Sequence, residues 1–210
     1  MTPRITALPS PGLLLLCALL LSACIGSPTA NTLYTLQPIH QPPLAPDFKD
    51  LSEMILILPI RLAPTLQGRG LVRQGSPVES RAAVNHLWAG PLDEQIAATV
   101  AANLKELLAT ANIAVYPGPR FGASRFQVEI EINEFSGPAQ AFTLAAVYTI
   151  SDSAARTILA RKTFQQTRTI DKPDYSGYVE SASQALGDLS REVAAALLAT
   201  SPSTRKPAEP

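Results

Sequence analysis

The sequence has 210 residues, and its 17 lysines and arginines balance 17 aspartates and glutamates, so the formal net charge is zero. This balance argues against a nucleic-acid binder, whose affinity depends on a surplus of positive charge. Charged residues make up 16% and apolar residues 46% of the chain, which excludes general disorder and predicts one folded domain with a sizeable core.

The N-terminal segment is typical of an exported protein. Residues 12–21 form an apolar run that is too short to cross a bilayer, which takes roughly 20 residues, but has the length of the hydrophobic part of a secretory signal. The run ends in Leu21-Ser22-Ala23-Cys24, which resembles a bacterial lipobox. We therefore interpret residues 1–23 as a lipoprotein signal peptide, with an ordinary secretion signal and an incidental cysteine as the alternative.

Cys24 is the predicted lipidation site, because its thiol is the group in this motif that can form a thioether with diacylglycerol. A diacylglycerol and an N-acyl chain give stable anchoring, whereas a single acyl chain binds membranes marginally. In bacterial lipoproteins an aspartate after the cysteine favours retention in the inner membrane, and this chain has Ile25 there. The predicted location is the outer membrane, facing the periplasm.

The cysteine count predicts a mature chain without disulfides. Cys17 lies within the signal and Cys24 carries lipid, so a hydrophobic core has to hold the domain together in an oxidising compartment. We expect a lipidated N-terminus and tether at 24–30, the folded domain at 31–200 and a disordered tail at 201–210.

The first half of the mature chain is rich in proline. An edge strand predicted at 32–36 precedes a loop at 38–46 that holds four prolines. We interpret this loop as an extended surface linker, with a PxxP-type partner ligand as the alternative. A continuous apolar run at 54–58 predicts a strand buried on both faces. Residues 66–84 show little periodicity, which indicates short strands and loops.

Two helices and a three-strand meander follow. Pro91 suits the first position of a helix that runs to about Asn112 and has an apolar residue every three or four positions. Asp93 and Glu94 complement the positive end of its dipole. Alternation and turn residues predict strands at 113–116, 126–133, 141–150 and 157–169, and a second helix that begins after Asp174 or Ser176 and ends near residue 200.

This order of elements predicts an α+β fold in a single domain. Its β-sheet is mixed and mainly antiparallel, with two principal α-helices on one face. The apolar stripe of the second helix lasts for fewer than three heptads, which favours core packing over a coiled coil.

The sequence contains no recognisable catalytic pattern. His40 and His86 lie far apart, and the spacings of metal ligands, phosphate-binding loops and nucleophile elbows are missing. Asp93 and Glu94 are adjacent, so their side chains diverge on a helix. We predict a protein that is not an enzyme and needs no metal or cofactor.

Four segments taken together resemble the ABC-type transport auxiliary lipoproteins, the PqiC-like group. The most specific is the tryptophan–x–x–proline–leucine motif of Trp88, Pro91 and Leu92. Gly90 stands where the family usually has an acidic residue, and 63–66 replaces the usual tyrosine–leucine–aspartate. The other three segments are the strand at 32–36, the strand with a central proline at 57–62 and the arginine-ended strand at 70–73.

The resemblance implies an outer-membrane lipoprotein that works with an MCE-domain substrate-binding protein and its inner-membrane permease. Such systems move lipids between membranes, and the lipoprotein would dock the periplasmic MCE protein without hydrolysing anything. A homo-oligomer, arranged as a ring, is a further implication. The alternative is a periplasmic carrier that holds lipid or another envelope component in an apolar cavity.

The arginine-rich segment is the predicted partner-binding surface. The helices and the sheet face beneath them are expected to be buried in the core, and arginines beside exposed aliphatic side chains suit a docking patch. Solvated loop arginines are the alternative. For Trp88 we expect core packing at the start of the first helix, with a partner contact as the alternative. The predicted partner-binding residues are Arg69, Leu71, Val72 and Arg73.

Overall fold

The computed structural model describes residues 30–44, 54–76, 78–118 and 123–200. Cys24, the predicted signal peptide and the predicted tail lie outside the described residues. The described residues from Asn31 to Thr200 form one compact unit. Its strands are β1 Thr32–Tyr34, β2 Met54–Ile57, β3 Arg61–Leu62, β4 Gly70–Ser76, β5 Glu79–Trp88, β6 Ile113–Val115, β7 Ser124–Ser136, β8 Ala141–Asp152 and β9 Thr157–Thr169, and its helices are α1 Leu92–Leu107 and α2 Tyr175–Thr200.

The large sheet is built around the meander of β7, β8 and β9. Its strand order is β6-β2-β7-β8-β9, and β3 pairs with β7 beyond the end of β2. The meander pairs are antiparallel, whereas β2 runs parallel to both β6 and β7. All four residues of β2 are buried, as expected for a central strand with a continuous apolar run. The predicted mixed, mainly antiparallel sheet is therefore confirmed.

Two helices cover one face of this sheet and form its core. From Phe126 to Ile132 in β7 and from Phe142 to Ile150 in β8 every second residue is buried, because successive side chains of a strand alternate between faces. Both helices bury the apolar stripes predicted from their three- and four-residue spacing. The buried stripe residues include Leu92, Ile96, Val100 and Leu104 of α1, and Val179, Leu186, Leu189 and Val193 of α2.

The helix termini follow local chemistry. Asp174 Oδ1 accepts a hydrogen bond of 2.7 Å from the backbone N–H of Gly177, the arrangement of an N-cap at the start of α2. Pro91 precedes α1 as its N-cap. The predicted end of α1 near Asn112 is wrong, since the helix stops at Leu107 and Ala109 has a positive φ of 48°.

A second, smaller sheet has the strand order β1-β5-β4. Strands β4 and β5 form an antiparallel hairpin with register shifts, and β1 runs parallel to the end of β5. Residues 66–84, predicted as short strands and loops, contain the end of a 3₁₀ turn at Pro64–Leu66, a short loop and the two strands of this hairpin, which are longer than expected. Its twist-inducing bulges hide the alternation that a flat strand would show.

The proline-rich segment is bound to the helices and is no free linker. Residues 35–44, which we call the strap, donate four backbone N–H groups to α1 and α2. The Leu36 N–H reaches Gln95 Oε1 at 3.0 Å, and the Ile39 N–H reaches the buried Asn103 Oδ1 at 2.8 Å. The other two bonds run from Gln37 to Ser183 Oγ at 3.1 Å and from Leu44 to the carbonyl of Leu107 at 2.9 Å.

Candidate functional site

The start of α1 opens onto a surface cleft of about 520 Å³. The short β3 strand, the 3₁₀ turn that follows it and the segment before α1 form its walls. Arg61 and Arg69 are exposed on its rim. The residues lining the cleft are Ile60, Arg61, Leu62, Leu66, Gln67, Gly68, Arg69, Gly90, Pro91, Leu92 and Asp93.

The two rim arginines differ in their partners. Arg61 lies 3.6 Å from Glu129 Oε2 and 3.5 Å from Glu131 Oε2, so two carboxylates on the open face of β7 offset its charge. No acidic side chain among residues 30–44, 54–76, 78–118 and 123–200 pairs with Arg69. Arg69 is therefore the rim cation whose charge is available to a binding partner.

The predicted docking patch contains both buried and exposed residues. Leu71 and Val72 belong to the hydrophobic core, so the expectation that these aliphatic side chains are exposed is wrong. Both lie near the start of β4, at the register shift between Gly70 and Val72 in its pairing with β5. Of the four predicted partner-binding residues, Arg69 is the one that stands exposed.

Arg73 is held by the start of α2. Its guanidinium carbon lies 4.1 Å from the ring centre of Tyr175 and 4.9 Å from that of Tyr178. Its Nη2 donates a 2.7 Å hydrogen bond to the carbonyl of Asp174, whereas its Nε is buried without a hydrogen-bond partner. Cation–π contacts of this kind fix an arginine in place, so Arg73 joins β4 to α2.

Tyrosines and a histidine extend this junction. The His86 ring stacks on Tyr175 with a centroid distance of 3.8 Å, and its Nδ1 lies 2.8 Å from the Tyr34 hydroxyl. The buried Tyr178 donates a 2.6 Å hydrogen bond to the carbonyl of Val72. Burial raises the pKa of both Tyr34 and Tyr178 above that of a free tyrosine, so both hydroxyls stay protonated and act in packing.

Trp88 and Leu92 are buried, and Pro91 between them is exposed. The Trp88 ring packs against Phe135 of β7 at a centroid distance of 6.1 Å, and Phe135 makes an edge-to-face contact with Phe142 of β8. Trp88 therefore connects the small sheet to the core of the large sheet.

The two histidines of the described residues have different partners. His40 lies 2.9 Å from Glu106 on the surface, far along the chain from the junction that holds His86. No group of three or more histidine, cysteine or acidic side chains suited to a metal ion occurs among the described residues. None of the helices in the described ranges has the length and apolarity needed to span a membrane.

Sequence reasoning missed the strap and the Arg73 junction. One signal for the strap was available: Gly187 lies inside the apolar pattern of α2, where glycine is unfavourable. A Cβ atom at this position would lie 2.7 Å from Gln41 Nε2 and 3.1 Å from Ile39 Cγ1, so the strap approaches the helix there. The Arg73 junction joins residues about a hundred positions apart, and no local pattern indicates it.

Sequence comparison gives a family match for most of the domain. Residues 34–194 match the family described as the ABC-type transport auxiliary lipoprotein component. The intermembrane transport lipoprotein PqiC of Escherichia coli is 29% identical over 125 residues, which cover 60% of this chain and 65% of that protein. The chain thus spans just under two thirds of this relative's length.

Solved structures confirm the fold. A protein from Xanthomonas campestris superposes with a TM-score of 0.68 at 18% identity, covering 80% of this chain and 96% of that one. The crystal structure of an uncharacterized protein gives a TM-score of 0.67 at 21% identity, covering 80% of this chain and 99% of that chain. At these identities the likeness concerns the arrangement of strands and helices.

Proposed function

The chain belongs to the family of ABC-type transport auxiliary lipoprotein components, and from this premise we propose that it docks the periplasmic MCE-domain protein of a lipid transporter at the outer membrane. The match over residues 34–194 carries the proposal, since it covers nearly the whole folded domain. The lipobox at Cys24 supports it, because lipidation would fix the domain to a membrane. The description of the Escherichia coli relative as an intermembrane transport lipoprotein favours transport between two membranes.

The partner-docking surface that we propose is the rim of the cleft around Arg69. Leu71 and Val72 are buried and Arg73 is held by α2, which leaves Arg69, an exposed arginine that forms no ion pair with any acidic side chain in the described part of the chain. Exposed arginines beside partly apolar walls are enriched in protein interfaces. An acidic patch on the MCE-domain protein or on its permease complex would complement this rim.

A lipid carrier is less well supported than a docking protein. A carrier needs apolar side chains that line a cavity in addition to those that form its core. Here the inward faces of α1, α2, β7 and β8 are buried against one another. The cleft at the start of α1 is open to solvent and has charged side chains on its rim.

A charge reversal tests the docking surface. In affinity purification from native membranes, Arg69→Glu should reduce co-purification of the MCE-domain protein while leaving the melting temperature unchanged, because Arg69 is exposed. Arg161→Glu on the exposed part of β9 is the matched control and should co-purify the partner normally. Equal recovery of the partner with both variants would place the docking surface elsewhere.

A further inference from the structure

Strand β1 lies at the edge of the small sheet. The strand order β1-β5-β4 gives it one neighbour, β5, to which it runs parallel. The Tyr34 carbonyl accepts a 2.8 Å hydrogen bond from the N–H of Ala89, the residue after β5. Because the backbone groups of successive strand residues point to opposite edges, the N–H and carbonyl of Leu33 point away from β5. In the described part of the chain neither group has a hydrogen-bond partner on that side.

A groove of about 390 Å³ lies between this edge and the first turns of α2. Leu33 is part of the wall formed by β1 and the strap, and Val179 and Glu180 are part of the wall formed by α2. The N–H of Gln37 donates a 3.1 Å hydrogen bond to Ser183 Oγ, so the strap joins the two walls at that level. A strand edge that faces a helix across a groove is suited to binding an extended peptide by strand addition.

The β1 edge lacks the features that keep other edge strands from pairing. Edge strands commonly carry charged residues that oppose the addition of another strand. β9, at the end of the large sheet, is a 13-residue strand with Arg161, Lys162 and Arg168. β1 contains no charged residue, and its Leu33 is 56% exposed. Of these two edges, β1 is the one that is open to another strand.

The charge of the groove indicates which kind of segment it binds. Glu180 is exposed and has no ion-pair partner among the described residues. Gln184, also in the α2 wall, accepts a 2.8 Å hydrogen bond from Arg168, but Asp188 lies 2.6 Å from that arginine and offsets its charge. The groove therefore has a negative charge that a lysine or arginine of a bound segment would complement.

We propose that an extended, basic segment of the MCE-domain protein adds as a strand to the edge of β1, in the groove beside α2. The backbone of this segment pairs with the N–H and carbonyl of Leu33, and its lysine or arginine lies beside Glu180. The proposal rests on the docking function proposed above, to which it adds a second contact surface and the chemistry of the segment that binds there.

The β1 edge and the Arg69 rim are close enough for one partner molecule to contact both. Trp88 lies between them: it pairs with Tyr34 of β1, and its N–H donates a 2.8 Å hydrogen bond to the carbonyl of Arg69. Two strand spacings, about 10 Å, therefore separate the backbones of Tyr34 and Arg69.

Amide hydrogen exchange tests the backbone pairing. The full lipidated chain is reconstituted into phospholipid vesicles, and deuterium uptake at single amides is measured by mass spectrometry with and without the purified MCE-domain protein encoded with the same transporter. In the complex the Leu33 amide should exchange about tenfold more slowly or slower still, because a hydrogen-bonded amide exchanges when its bond opens. The amides of β9 are the control and should exchange at the same rate in both samples.

Two replacements of Leu33 distinguish backbone pairing from simple coverage of the edge. Leu33→Pro removes the outward N–H and keeps the pairing with β5, since proline is tolerated at an edge position whose N–H faces solvent. Leu33→Ala shortens the side chain and keeps the N–H. Strand addition predicts that Leu33→Pro binds the partner about tenfold more weakly than Leu33→Ala, and equal binding overturns it. Thermal unfolding verifies that both variants are folded, and if Leu33→Pro is not, the exchange measurement on the wild-type chain decides.

Reversal of the Glu180 charge tests the chemistry of the bound segment. Glu180→Lys should weaken binding of the MCE-domain protein, because the lysine repels a basic residue of the segment. Unchanged or tighter binding by this variant overturns the assignment of a basic segment.

The exchange measurement also separates this proposal from the docking function. If the complex forms and the Leu33 amide exchanges as fast as in the unbound chain, strand addition fails and docking stands. A Leu33 amide that is already protected without the partner overturns the proposal too, because another segment of this chain or a second copy then covers the edge. If the acylated wild-type chain binds no MCE-domain protein, the docking function fails and strand addition fails with it.

Discussion

In the large sheet, the inward side chains of β7 and β8, such as Ile130, Leu144 and Tyr148, are all buried beneath the two helices. In the small sheet, Leu71 and Val72 of β4 are buried, yet Val84 of the neighbouring β5 and Val78 in the turn stand in solvent. The two sheets belong to one compact unit, but the helices cover the first and leave much of the second exposed.

This difference separates the part of the molecule that provides stability from the part that is available for contacts. The helix-covered core buries its apolar surface on folding, which is the main favourable contribution to stability. The hairpin contributes little to that core beyond the start of β4 and the end of β5. Exposed loops and hairpins on a rigid scaffold are where binding functions concentrate.

Truncation of Trp88 should have the largest effect on stability, because this side chain connects the two sheets. Removing a buried tryptophan costs about 3–5 kcal/mol, so we expect Trp88→Ala to lower the free energy of unfolding by that amount in denaturant titrations. Val84→Ala on the same strand should unfold like the wild-type protein. A Trp88→Ala variant with unchanged stability and a lost partner would reassign Trp88 to the docking surface.

Removal of the Tyr178 hydroxyl should have the next largest effect. Tyr178→Phe leaves the buried carbonyl of Val72 without its hydrogen bond, which costs about 1–3 kcal/mol. Tyr175→Phe is the control and should change stability little, because its ring makes the contacts with Arg73 and His86. Thermal unfolding compares the stability of the two variants directly. Equal losses of stability would contradict the role of the hydrogen bond from Tyr178 to the Val72 carbonyl.

Substitution of Arg73 should lower the stability of the domain, whereas substitution of Arg69 should weaken partner recruitment. Arg73→Gln removes two ring contacts and the bond to Asp174, and should destabilise the domain by about 1 kcal/mol. Arg69→Gln should leave stability unchanged and weaken partner recruitment. The double replacement of Leu71 and Arg73 should therefore lower the melting temperature, since both residues hold the small sheet in place. Loss of recruitment without loss of stability in Arg73→Gln would show that this arginine contacts the partner.

Substitution of Asp152 should have the smallest effect on stability, and this effect should depend on pH. Hydrogen bonds from the backbone N–H groups of Ala155 and Ala154, together with Arg125, lower the pKa of Asp152 below its ordinary value. Its contribution to stability is therefore present above the ordinary aspartate pKa and is lost as the pH falls through the lowered value. Asp152→Asn should unfold slightly earlier than the wild-type protein at neutral pH, and the difference should vanish in acid. A difference that persists in acid would point to a contribution other than the charge.

The sequence predicted the helix-covered region well because its apolar residues repeat with a clear period. The stripes of α1 and α2 and the alternation in β7 and β8 follow from local geometry. The small sheet was harder to predict, since register shifts in the hairpin interrupt the alternation. The exposure of Leu71 and Val72 was predicted wrongly because burial in this hairpin depends on packing against residues distant in the chain. The contacts of Arg73 with Tyr175 and Tyr178 were not predicted for the same reason, because they join residues distant in the chain.

Recruitment to vesicles tests the central claim most directly. The full lipidated chain is reconstituted into phospholipid vesicles, and co-sedimentation measures binding of the purified periplasmic domain of the MCE protein encoded with the same transporter. We predict that vesicles carrying the wild-type chain recruit this domain, that Arg69→Glu reduces the recruitment and that Arg161→Glu does not. Absence of recruitment by the acylated wild-type chain, together with phospholipid bound stoichiometrically to its folded domain, would contradict docking and identify a lipid carrier.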